Sequence, residues 1–98
     1  TMKLEELQNI ISKKIADEIT VDFIKIFDYT AEHENHVTFE GNFHLSMTLV
    51  SPDFEGMSLI ERHQLVYKLV DEYMPHEIHA LTMKTHTPEE YKKITERN

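Results

Sequence analysis

Seven histidines are the residues of this chain best suited to chemistry, because imidazole binds metals and titrates near neutral pH. They are scattered along the sequence, and four of them form two motifs, H-E-N-H at His33 and His36 and H-E-I-H at His76 and His79. Neither motif has the four-residue spacing with which two helical histidines of a zinc protease bind one metal. The motifs therefore argue against a zinc enzyme and leave open only a fortuitous surface site for zinc or nickel.

His79 opens a predicted strand, in which Leu81 and Met83 should share its face. Its ring should then lie at the rim of a sheet. The spacing leaves two interpretations open, a structural histidine bonded to a nearby carbonyl and a functional one.

His63 lies on the apolar stripe of a predicted helix, where a packed core histidine is the structural interpretation and a ligand the alternative. Arg62 beside it is predicted to point to the polar side of that helix. It would then be solvated or contact a partner protein.

The sequence has few other features that could support catalysis or nucleotide binding. It contains no cysteine and only two glycines, Gly41 and Gly56. A P-loop, a dinucleotide fingerprint and a G-x-x-G nucleic-acid clamp each need at least two closely spaced glycines. None of the serines lies in a nucleophile motif. We therefore do not expect an enzyme.

The 98 residues are expected to form a single domain spanning 1–98, in which Thr1-Met2 is typical of a cloning remnant and 95–98 fray. The net charge of −8 opposes nucleic-acid binding, which favours a basic surface. The lack of cysteine is compatible with a reducing compartment, so a cytoplasmic location is expected, with mitochondrial or nuclear alternatives. No apolar run approaches the ~18 residues of a membrane span, so no membrane association is expected.

Periodicity, capping residues and prolines predict six elements that would position these side chains. They are a helix over roughly residues 3–18, strands at Val21–Tyr29 and Phe43–Val50, a helix from Ser58 to Met74-Pro75, a strand at Ile78–Thr85 and a helix opened by Thr87.

Three local features refine this assignment. Ser58 and Glu61 form a predicted capping box, and Leu59, His63, Val66 and Val70 form the apolar stripe that follows. The apolar Phe43–Val50 is predicted to be a central strand. His36–Glu40 has the pattern of a strand extension, and Gly41-Asn42 that of a tight turn. The fold class is therefore α+β, in the order α-β-β-α-β-α, with a three-stranded mixed sheet and helices packed on one face.

Five motifs occur in order along the chain: F-H-L-S-M-T-L-V-S at 43–51, F-E-G at 54–56, R-H-Q-L-V at 62–66, I-H-A-L at 78–81 and K-T-H-T-P-E-E at 84–90. This set resembles the signature of the BolA-like family and covers roughly residues 25–92. The resemblance implies a KH-like α-β-β-α-β-α fold, which agrees with the order predicted above.

The resemblance implies a non-enzymatic adaptor that binds a monothiol glutaredoxin and shares a bridging 2Fe-2S cluster with it. Such proteins act in iron–sulfur cluster assembly and trafficking and in iron homeostasis. His79 matches the family's near-invariant histidine. A second ligand comes from the loop before the second strand, where Gly41 occupies the frequent cysteine position. His44 is then the best candidate, with His36 and His33 in reserve.

The implied partners are a monothiol glutaredoxin and glutathione, with Arg62 and His63 as candidate partner contacts. The isolated chain is expected to hold no cofactor and to be a monomer or weak dimer. A chain without cysteine would supply imidazoles to one iron while the partner supplies thiolates to the other. Because neutral imidazole binds metal, acidification below about pH 6 should weaken such a complex.

The family is also linked to DNA binding and to stress-dependent cell shape. The alternative function is therefore a KH-like nucleic-acid-binding transcriptional regulator of the stress response. A scaffold that contacts a partner without a cluster is a third possibility.

Overall fold

The computed structural model describes residues 3–29 and 43–96. Its elements are α1 at Leu4–Glu18, β1 at Phe23–Asp28, β2 at Phe43–Val50, α2 at Leu59–Val70, β3 at Ile78–His86 and α3 at Pro88–Glu96. The predicted α+β class and element order are confirmed. The predicted strand extension at His36–Glu40 and turn at Gly41-Asn42 lie outside the described residues.

The three strands form one mixed sheet in the order β1-β2-β3. β2 pairs antiparallel with β1, and it pairs parallel with β3 through the crossover helix α2. The apolar run Phe43–Val50 is therefore the central strand, as predicted.

Helices α1 and α2 contribute to the core on one side of this sheet, which we call the covered face. Strand residues alternate between the two faces, so every second residue of β2 from Leu45 to Leu49 is fully buried there. The core cluster consists of Leu7, Ile11 and Ile15 of α1, Leu45, Met47 and Leu49 of β2, Phe54 of the short 3₁₀ turn between β2 and α2, Val66 and Val70 of α2, and Ile78 and Leu81 of β3. We call the opposite side of the sheet the open face.

The predicted capping box begins α2. The Ser58 hydroxyl accepts from the Glu61 amide at 3.1 Å, and the Ser58 amide donates to the Glu61 carboxylate at 2.8 Å. The predicted stripe is only partly right, because Leu59 is 59% exposed while Arg62 is 8% exposed. The buried positions are Arg62, Val66 and Val70, spaced four apart on one side of the helix. Leu59, in the first turn, lies outside that line.

The prediction that Arg62 is solvated is wrong. Its Nε donates to the Met57 carbonyl at 3.1 Å and its Nη1 donates to the Thr85 carbonyl at 3.2 Å. Its Nη1 and Nη2 also donate to the two carboxylate oxygens of Glu90, at 2.7 and 3.2 Å. A buried guanidinium requires this many partners, because an unpaired charge in the interior is costly. Arg62 therefore joins α2 to the end of β3 and to α3.

Glu90 also caps α3. Its carboxylate accepts from the Thr87 amide at 2.9 Å, while the Thr87 hydroxyl accepts from the Glu90 amide at 3.1 Å. Hydrogen bonds from Arg62 and then from the Thr87 amide lower the pKa of Glu90 from 4.5 to about 2. One carboxylate thus satisfies both a helix terminus and a buried cation.

Within residues 3–29 and 43–96, no helix combines the length and apolarity needed to cross a bilayer.

We predict that Glu90→Gln lowers the free energy of unfolding by about 1–2 kcal/mol at pH 7, because Arg62 loses its anionic partner while water screens the half-exposed carboxylate. Since the folded pKa is depressed, the stabilisation is present above pH 4.5 and is lost as the pH falls toward 2. The difference between wild type and variant should shrink over that range in urea titrations. Glu89→Gln, an exposed neighbour, should change stability by less than about 0.5 kcal/mol. An equal effect of both substitutions would contradict the assigned role of Glu90.

Candidate functional site

The first pairing of β2 with β3 brings two histidines together. In the parallel register Phe43 is opposite Ile78, and His44 is opposite Ala80, so His79 lies at a β-bulge between them. The ring centroids of His44 and His79 are 5.0 Å apart, with an edge-on angle of 71°. His79 is exposed and His44 half-buried. Two imidazoles thus adjoin each other at the exposed rim of the sheet, where His79 was predicted to lie.

The prediction that His79 shares a face with Leu81 and Met83 is wrong. The bulge adds one residue to β3 and changes which side the following residues face. Leu81 therefore packs into the core at 7% exposure, while the His79 ring contacts His44.

Tyr29, at the end of β1, continues this pair of rings onto the other neighbour of β2. Its backbone amide donates to the His44 carbonyl at 2.9 Å, which places it beside His44 just beyond the end of β1. The two rings lie 5.8 Å apart at a tilt of 51°. Tyr29, His44 and His79 therefore form a continuous row, which we call the rim row. Tyr29 was not among the predicted site residues, although an aromatic residue at the end of a neighbouring strand is a usable signal.

The other predicted site residues do not lie in this row. His63 is half-buried on α2, and its Nε2 has no hydrogen-bond partner among the described residues. Arg62 is engaged by Glu90 and has little surface left for a partner protein. His33 and His36 lie outside the described residues, so the structure leaves them as candidates. Of the histidines proposed as cluster ligands, His44 and His79 are the two that the described fold juxtaposes.

The imidazoles of His44 and His79 could supply two of the ligands of a metal site. Imidazole nitrogen is a suitable ligand for iron, and the rim position keeps His79 accessible. Within the part of the chain that the structure describes, no group of three or more histidine, aspartate or glutamate side chains could hold a metal ion. The pair by itself therefore supplies only part of the ligand set of a metal ion.

The comparisons with known proteins assign the family. A model of the BolA-like protein family matches residues 15–90, which include both rim histidines. The chain belongs to the BolA-like family. A relative from Haemophilus influenzae, named DNA-binding transcriptional regulator BolA, is 36% identical over 90 residues, covering 92% of this chain and 85% of that protein.

Solved BolA structures share the fold. BolA1 from Arabidopsis thaliana superposes with a TM-score of 0.72 at 32% identity, covering 84% of this chain and 92% of that one. The BolA domain of SufE1 from the same plant gives a TM-score of 0.73 at 28% identity, covering 92% and 99%. The resemblance seen in the five motifs is thereby confirmed.

We predict that His79→Ala leaves the fold intact, with a change in the free energy of unfolding within about 0.5 kcal/mol, because the side chain is exposed. Leu45→Ala, next to His44 but fully buried, should cost about 3 kcal/mol through the cavity it leaves. Thermal and urea unfolding of the two variants would measure the contrast. A strongly destabilised His79→Ala protein would mean that the imidazole has a structural role.

Proposed function

We propose that this BolA-like protein is a non-enzymatic adaptor that binds a monothiol glutaredoxin and shares a bridging 2Fe-2S cluster with it. The juxtaposition of His44 and His79 at the exposed rim of the sheet carries this proposal. The adaptor would act in iron–sulfur cluster assembly and trafficking and in iron homeostasis. We place it in the cytoplasm, because the partner's thiolates need a reducing compartment.

The types of ligand that each protein can supply support a shared cluster. Iron–sulfur clusters are ordinarily held by thiolates, and two histidines replace two cysteines on one iron in Rieske centres. This chain contains no cysteine, so its contribution is limited to imidazole. The glutaredoxin cysteine and glutathione would then supply thiolates to the other iron. The cluster belongs to the complex rather than to the isolated chain.

Neighbouring residues of the chain orient the rings of His44 and His79. The bulge turns His79 toward His44, and the Tyr29 ring packs against the other side of His44. Contacts of this kind restrict ring rotation, which lowers the entropy lost when a ligand is fixed. The exposed rim leaves room for a second protein to approach the pair.

A specific observation also supports the alternative of nucleic-acid binding, because the Haemophilus influenzae relative is named a DNA-binding transcriptional regulator. The net charge of −8 opposes it, since phosphate contacts dominate such affinity. We therefore place it second.

We predict that mixing the purified chain with cluster-loaded glutaredoxin and glutathione changes the visible absorption and circular dichroism of the cluster. His79→Ala should abolish that change because one iron loses an imidazole ligand. The matched control is His76→Ala, which removes an exposed histidine from the turn before β3 and should leave the spectrum of the complex as in wild type. No spectral change with the wild-type chain, or the same change with His79→Ala, would contradict the proposal.

The second ligand has its own test. His44→Ala should reduce the spectral change as strongly as His79→Ala, because the two rings adjoin each other. If His44→Ala behaves like wild type and a His33→Ala/His36→Ala double variant loses the signal, the second ligand is His33 or His36.

For the alternative function, we expect weak binding of duplex or single-stranded DNA that disappears between 50 and 200 mM salt. Fluorescence anisotropy at the two salt concentrations would measure it. Tight binding at the higher salt with a steep salt dependence would instead support the regulator.

A further inference from the structure

The open face of the sheet carries four cross-strand rows. At one end is the rim row of Tyr29, His44 and His79. The next row joins Phe27, Ser46 and Thr82, and the third joins Lys25, Thr48 and Lys84. Paired residues point to the same side of a sheet, so these side chains lie next to one another. The last row contains Phe23 and His86, whose rings contact Tyr91 of α3.

Charge is segregated between the two faces of the strands. The ionisable side chains that these rows present, tyrosine apart, are Lys25, Lys84 and histidines. Asp28 is the one acidic residue within β1, β2 and β3, and its position alternates to the other face. The whole chain nevertheless has a net charge of −8. Within the three strands the open face thus presents basic side chains on an acidic protein, while at its far end the Glu90 carboxylate of α3 interacts electrostatically with His86.

The same face is accessible and partly apolar. Phe27 is 45% exposed, and the Lys25 ammonium lies 5.8 Å from the centre of its ring. Thr82 and Lys84 are exposed as well. Exposed aromatic rings are enriched at protein interfaces, and the rims of such interfaces are polar.

The rim row fixes where a cluster-sharing partner must sit. A standard interface covers about 800 Å² on each protein, which corresponds to a radius of roughly 16 Å. Thr48, which lies between Lys25 and Lys84 in the third row, is four residues along β2 from His44. At ~3.3 Å per residue this separation is about 13 Å. A partner centred on the histidines and lying along the sheet would therefore contact Lys25 and Lys84.

We propose that the open face, from the rim row to Lys25 and Lys84, is the docking surface for an acidic face of the protein that shares the cluster. The inference rests on the proposed function and adds to it the surface and the charge of the partner. The carboxylates of the partner would pair with the two lysines. The acidic surface elsewhere on the chain would repel the same acidic face if it approached from another side.

The test compares two double variants with the same change in charge. Lys25→Glu/Lys84→Glu reverses the open face, and Lys68→Glu/Lys92→Glu reverses two exposed helix lysines. Association with cluster-loaded glutaredoxin is measured by biolayer interferometry at 50 and 200 mM salt. We expect the open-face variant to bind at least 10-fold more weakly at low salt, mainly through a slower association rate, and the control less than 3-fold more weakly. At saturating concentration both should form a complex with the wild-type spectrum.

Phe27→Ser adds a readout that does not depend on charge, because it removes an exposed ring and should raise the dissociation rate at both salt concentrations. Circular dichroism and thermal unfolding verify that each variant is folded. Equal weakening by the two double variants, with Phe27→Ser like wild type, would overturn the inference and leave the proposed function standing. If wild type fails to associate at all, the proposed function and this inference fall together.

The same variants also test two other molecules that could bind the open face, single-stranded DNA and a second copy of the chain. If single-stranded DNA binds wild type and is lost only in Lys25→Glu/Lys84→Glu, while glutaredoxin binding is unchanged, the face is a nucleic-acid surface and the inference is overturned. A dimer of the chain alone that dissociates in the same variant, detected by analytical ultracentrifugation, would overturn it in favour of self-association.

Discussion

The bulge at the start of the β2–β3 pairing is the constraint on which the candidate site depends. Without it, a strictly alternating β3 would place His79 on the same face as Leu81, toward the core and away from His44. With it, Leu81 packs beneath α2 and His79 adjoins His44 on the open face. One extra residue in one strand therefore separates the side chains that stabilise the domain from those available for chemistry. Bulges often redirect side chains in this way next to functional sites.

The parallel pairing that contains this bulge is held in place from α2. Tyr67 donates to the Leu81 carbonyl at 3.0 Å and Arg62 donates to the Thr85 carbonyl at 3.2 Å, so two carbonyls of an edge strand are satisfied by one helix. These bonds also limit the outer edge of β3 as a template for another strand. Arg62 is thus better understood as the connection among α2, β3 and α3 than as a partner contact. Its burial depends on Glu90, which brings the compensating charge.

Sequence reasoning succeeded where the signal is local and failed where it depends on pairing. The periodicity of α1, the Ser58–Glu61 box and the apolar β2 each lie within one element, and each predicted its element correctly. The partner of Arg62 is 28 residues away, so no periodicity within α2 could reveal it. The face of His79 depends on a register set between two strands, and the position of Tyr29 depends on an antiparallel pairing. The contact between His44 and His79 depends on both the strand order and the bulge, and neither can be read from one element of the sequence.

Substitutions on the two faces of the sheet differ in their cost to stability, and this difference determines which site residues can change while the fold is kept. The covered face is filled by aliphatic side chains of α1, β2 and β3, where a lost methyl group costs stability. The open face carries histidine, lysine, serine and threonine, most of them replaceable at little cost to folding. Ligands on this face can therefore change while the fold persists, provided that the bulge is kept. The two imidazoles of the rim row supply only part of a metal site, so under the proposed function the chemistry would depend on the partner that supplies the thiolates.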